Sequence, residues 1–116
     1  MKRIALALLA LSCLPTPAVA SDVAIRLLQM ENRFPDRPGG PTAIQWVRVT
    51  NIGATRIRTV LVDCRFFAAG KPIALGTAMN LGILAIGESE TINVPGSPAG
   101  RADTAECDAR SDTSER

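Results

Sequence analysis

Histidine and tyrosine are absent from this sequence, tryptophan occurs once and phenylalanine three times. Without histidine there is no Ser-His-Asp or Cys-His nucleophilic system, and zinc loses its usual nitrogen ligand. No dense Asp-x-Asp-x-Asp run offers a calcium loop. Met30 and Met79 have neither histidine nor a Met-x-x-Met cluster beside them, so they read as gap-filling core residues rather than copper ligands. No apolar run approaches the about 20 residues that cross a bilayer. A soluble, non-enzymatic protein is expected, with no cofactor, no metal and no transmembrane segment.

The start of the chain is the most telling segment. Lys2 and Arg3 form a basic head, Ile4 to Leu11 a short apolar stretch, and Pro15 and Pro17 precede Ala18-Val19-Ala20. That is the layout of a cleaved secretory signal peptide, residues 1–20, with small residues where the peptidase reads. A periplasmic or secreted location follows. The competing reading, lipid attachment at Cys13, is disfavoured because Ala10 stands where a lipoprotein box carries a larger aliphatic residue. Removing Lys2 and Arg3 leaves acids and bases balanced, so the basic pI belongs to the leader. Nucleic acid is not an expected partner.

Cleavage also leaves only Cys64 and Cys107. In a small secreted chain such a pair forms one disulfide, which by the loop-entropy model stabilises by about 4 kcal/mol. A catalytic redox pair is disfavoured, since those cysteines sit two residues apart near a helix start.

Residues 21–110 read as a single all-β domain and 111–116 as a flexible polar tail. Strands are expected at Val23–Met30, Thr42–Asn51, Arg56–Ala68, Ile73–Ala78, Glu88–Val94 and Arg101–Ala109, because β-branched residues alternate there between Gly- and Pro-bearing turns. Glu31 to Pro41 reads as a loop and Asn80 to Gly87 as a strand or an irregular apolar connection. Val47, Val49, Val60, Val62, Cys64, Phe66, Ile92 and Val94 are the expected inward positions. Six or seven short strands at this spacing indicate a β-sandwich, with the disulfide tying the two sheets or stapling neighbouring strands.

The middle of the chain resembles the FxLYD-type family of immunoglobulin-like bacterial extracytoplasmic domains. The matching residues are Val47-Arg48-Val49-Thr50-Asn51, Gly53, Ile57, Val60 to Phe66, Gly70-Lys71-Pro72-Ile73, Leu84 to Glu88 and Val94. The likeness covers roughly residues 42–94. Phe66-Phe67-Ala68-Ala69 lacks the Tyr-Asp of the family name, and Ile86 stands where proline is usual. The resemblance implies an immunoglobulin-like sandwich and an accessory or binding role, and it carries no catalytic residues.

Charge is uneven. Arg48, Arg56, Arg58, Arg65 and Lys71 stand against Asp63 alone, whereas the last third is rich in acids, among them Glu88, Glu90, Glu106 and Asp108. If the third and last strands are neighbours, Arg56, Arg58 and Arg65 face Glu106 and Asp108 as cross-strand pairs. Left free, these arginines would dock an anionic partner or glycan. The Glu88/Glu90 and Glu106/Asp108 pairs have the residue type of glycosidase acids but read as solvent-facing strand positions. Trp46 is either core or, beside Arg48, an exposed anchor. Phe34, in the Pro-rich loop, either pins that loop or recognises a ligand. The candidate partner-binding residues are therefore Trp46, Arg48, Arg58, Arg65 and Phe34. The expected function is a binding or accessory module for an envelope protein, working by strand addition at a sheet edge; the alternative is a small secreted enzyme inhibitor or glycan-binding protein.

Overall fold

The computed structural model describes residues 22–36 and 38–112. The leader segment 1–20, with Cys13, and residues 113–116 lie outside them. Six strands occur among the described residues: β1 (Val23–Arg33), β2 (Thr42–Asn51), β3 (Thr59–Ala68), β4 (Lys71–Met79), β5 (Ser89–Pro95) and β6 (Thr104–Asp112). They form two three-stranded antiparallel sheets, ordered β1-β2-β5 and β4-β3-β6. The protein is a β-sandwich stapled by the Cys64–Cys107 disulfide. The two sheet orders match the A-B-E and C′-C-F groupings of immunoglobulin-like sandwiches.

The period of two in the sequence sets the core. Val47 and Val49 of β2, Val60, Val62, Cys64 and Phe66 of β3, and Ile92 and Val94 of β5 are buried between the sheets. The disulfide does not cross between sheets. Cys64 and Cys107 are opposite each other on the neighbouring strands β3 and β6, 43 positions apart in sequence.

Several boundaries differ from the sequence expectation. β1 continues to Arg33, because Glu31, Asn32 and Arg33 pair with Ile44, Ala43 and Thr42 after a bulge at Leu28–Gln29. The buried amide of Gln45 stabilises that bulge by donating to the carbonyls of Leu28 and Gln29 at 3.1 and 3.3 Å. β3 starts at Thr59 rather than Arg56, and β6 starts at Thr104 rather than Arg101. β6 also runs through Ser111 and Asp112, opposite Val60 and Thr59, so the first two residues of the expected polar tail belong to the sheet. The stretch 80–87 is an irregular connection held by one bridge, Ile57 to Leu84.

Two asparagines hold this connection. Asn51, fully buried, donates to the carbonyls of Thr55 and Leu84 and accepts from the Gly53 amide. Asn80 accepts from the Val60 amide at 2.8 Å and donates to the Gly82 carbonyl. Buried backbone groups in an irregular segment need such partners, and an Asn side chain supplies both a donor and an acceptor.

Candidate functional site

The candidate site is a strand edge, and its geometry follows from the disulfide position. Opposite residues in an antiparallel pair alternate between hydrogen-bonded pairs, about 5.5 Å apart at Cα, and non-hydrogen-bonded pairs, about 4.5 Å apart. Cys64 and Cys107 are 4.1 Å apart at Cα, so they form a non-hydrogen-bonded pair. The N–H and C=O of Cys107 therefore point away from β3. By the same alternation so do those of Ala105 and Ala109, while Glu106, Asp108 and Arg110 bond to β3.

No strand lies on that outer side of β6 among the described residues. In a seven-stranded sandwich of this kind the G strand occupies this position.

The opposite edge of the same sheet is tied to the other sheet at its middle. Leu75 of β4 donates its N–H to the Ser97 carbonyl at 3.1 Å and accepts from the Ser97 N–H at 2.8 Å. Gly76 comes so close to β5 that a Cβ there would sit 2.3 Å from the Pro95 carbonyl oxygen. The other sheet offers poorer edges. β5 carries Pro95, and β1 is broken by its bulge; both features blunt strand pairing. β6 contains neither proline nor glycine, and its register with β3 is unbroken from Thr59 to Phe67.

An apolar strip flanks the β6 edge. Ala105, Cys107 and Ala109 turn their side chains inward yet are only half-buried, and Ile25 and Met30 of β1 pack near them as half-buried residues. Leu27 shares the inner face of β1, opposite Val47, and is still 41% exposed. The sandwich is thus open along its β1/β6 side, where the side-chain amide of Asn32 makes a reciprocal pair of hydrogen bonds with Ala102 near one end.

On the outer face of this sheet the charges are partly satisfied. Arg65 reaches Glu106 at 3.1 Å and Arg110 reaches Asp63 at 2.9 Å. Thr77 also donates to Asp63, at 2.8 Å. The Thr77 hydrogen bond above all, with help from the Arg110 guanidinium, holds the Asp63 carboxyl below its ordinary value against the opposing effect of desolvation. Asp108 is directly opposite Asp63 in the ladder, and its exposed carboxylate makes no hydrogen bond or ion pair.

The residues singled out from sequence fall in separate places. Of the cross-strand pairs expected for Arg56, Arg58 and Arg65, the structure forms Arg65–Glu106; Arg56 and Arg58 precede β3, where no strand of acids faces them. Trp46 and Arg48 share the outer face of the other sheet. Trp46 is half-buried there, with the Arg33 guanidinium 5.9 Å from its ring centroid and that arginine held by Glu31 at 2.6 Å. Arg48 is exposed and directly opposite Arg26. Phe34 follows β1 with φ 58° and is 46% exposed.

Glu88 and Glu90 accept from the amides of Ala85 and Leu81, shaping the β4–β5 connection. Among the described residues no three His, Cys, Asp or Glu side chains gather, and no helix is long and apolar enough to cross a membrane. The sequence pattern puts Ala105, Cys107 and Ala109 on one face of the last strand, but it carries no signal that this strand is the open edge.

No family model, curated protein or solved structure matches this chain.

Proposed function

We propose that this chain is a non-enzymatic secreted or periplasmic binding module that takes up an extended segment of an envelope protein along β6. The observation that carries this reading is the outward aim of the Ala105, Cys107 and Ala109 backbone groups on an edge that is regular, unbroken and uncovered among the described residues. Each such N–H and C=O is a ready partner for another strand, and main-chain hydrogen bonds give this recognition mode its affinity. The lack of histidine, and the bonding of Cys64 to Cys107, support a binding role over catalysis. The resemblance to FxLYD-type domains supports the same class, and the signal-peptide layout supports the location.

The test is envelope crosslinking and capture with the protein and its Ala109→Pro variant. Proline at 109 deletes an outward N–H and leaves the ladder to β3 intact. A partner captured by the parent and lost from a still-folded variant is the expected result. Equal capture by both, or capture by neither, overturns the reading.

A second reading, docking of an anionic glycan, is favoured by one observation. Arg26 and Arg48 are direct cross-strand neighbours, both exposed and without a carboxylate partner. Like charges so placed repel, and a sulfated or carboxylated sugar would relieve that repulsion. Retention on a sulfated polysaccharide column that Arg26→Gln abolishes is its expected signature; passage through the column unretained removes it.

A further inference from the structure

We infer that the segment accepted at β6 alternates basic and apolar residues. This rests on the strand-addition reading and names the chemistry of its partner. A strand added beside β6 has two faces. Its inner face would meet the apolar strip, where Leu27 is 41% exposed and Ala105, Cys107 and Ala109 are half-buried. Its outer face would meet Glu106, already held by Arg65, then Asp108, then Arg110, which is bound to Asp63. Asp108 has no partner of its own, and the carboxylate opposite it, Asp63, is already engaged by Arg110 and Thr77. A cation on the incoming strand directly or diagonally opposite Asp108 is the arrangement that neutralises it.

The same charges argue against a second copy of this chain as occupant. Antiparallel pairing of β6 with β6 can align Cys107 with Ala105, Cys107 or Ala109 of the other copy. These registers set Glu106 against Glu106, Glu106 against Asp108, and Asp108 against Asp108, the last also bringing Glu106 opposite Arg110. The first two place carboxylate opposite carboxylate with nothing to offset it, which is destabilising. The edge is thus better matched by a foreign strand with a cation opposite Asp108 than by a second copy in those registers.

The experiment uses three labelled nine-residue peptides that alternate valine with lysine, with glutamate or with serine. Affinity is read by fluorescence anisotropy and location by amide NMR shifts in the full mature chain. The expected result is lysine/valine binding at least about tenfold tighter than serine/valine, a gap of about 1.4 kcal/mol, with shifts at Ala105, Cys107 and Ala109. Asp108→Asn should erase most of that preference and Asp108→Lys should transfer it to the glutamate/valine peptide. The Asp108 carboxylate is exposed and unbonded, so neither variant threatens the fold. Equal binding of all three peptides at those amides overturns this inference and leaves the strand-addition reading standing. Absence of shifts at those amides with every peptide overturns the strand-addition reading, and this inference with it. A concentration-dependent dimer of the chain alone, lost in Ala109→Pro, overturns the charge-based argument against a second copy.

Discussion

The side-chain amide of Asn51 donates to the carbonyl of Leu84 at 3.0 Å, from a fully buried position at the end of β2. The same side chain holds Thr55 and Gly53, and its backbone bonds to Gly87 and Glu88. One residue therefore clamps the β2–β3 turn to the β4–β5 connection. Asn51→Leu keeps the branched shape and removes the side-chain bonds, stranding the Thr55 carbonyl and the Gly53 amide and leaving the Leu84 carbonyl with the Ile57 N–H alone. We expect a loss of roughly 3 kcal/mol, at about 1 kcal/mol per bond, measured by urea unfolding.

Ala69 and Gly70 form the two-residue turn between β3 and β4, with φ of 52° and 79°. Two positive values are the signature of a type I′ hairpin. Gly70 adopts this freely, whereas Ala69 is strained by its Cβ; the turn is held by an Asp103 carboxylate accepting from the Ala69 amide at 2.9 Å. Ala69→Asn should relieve the strain and stabilise by about 1 kcal/mol, a rise of about 4–8 °C in Tm for a domain of this size. An unchanged or lower Tm in a thermal melt would contradict it.

Asp63 titrates below its ordinary value because Thr77 and Arg110 favour its ionised form. A depressed folded-state value means that ionised Asp63 supports the fold above the ordinary aspartate range and loses that support as pH falls through its folded value. The parent should therefore exceed Asp63→Asn in stability at neutral pH, with the gap closing in acid below about pH 4. The side chain is 42% exposed, so screening keeps the gap small. A carbon-detected NMR titration of Asp63 reads the direction without relying on the mutant.

Cys64 and Cys107 should yield no free thiol under denaturing, non-reducing conditions. Reduction should lower stability by about 2–4 kcal/mol, given a loop of this length. The loss should speed exchange of β6 amides first, because β6 pairs with β3 alone. Uniform acceleration across both sheets would mean that the bond supports the whole sandwich.

Most of the fold could be read from the sequence because both sheets bury one face. Alternation through Val60, Val62, Cys64 and Phe66 specifies which side of β3 is core, and a slip of one residue would expose all four. A turn between Ala68 and Ile73 and the pairing of Cys64 with Cys107 were also legible, although Lys71 and Pro72 belong to β4 and the turn is only Ala69-Gly70. The extension of β1 to Arg33 was not. Glu31, Asn32 and Arg33 have no apolar alternation, and their strand conformation comes from pairing with β2 beyond a bulge that Gln45 stabilises. The candidate site was hidden for a different reason. An open edge is a property of which strand has no neighbour, and that is fixed by sheet order rather than by the residues of the strand. Arg48 and Arg58 stood out by charge, yet charge alone did not place them on separate surfaces.

The Leu75–Ser97 stitch gives the sheet a polarity. One border of β4-β3-β6 is tied at Leu75 to the opposite sheet, while β6 has no neighbouring strand on its outer side among the described residues. On the strand-addition reading, a partner joining at β6 would meet an uninterrupted run of outward backbone groups, whereas one joining at β4 would meet the Leu75–Ser97 tie in the middle of the strand.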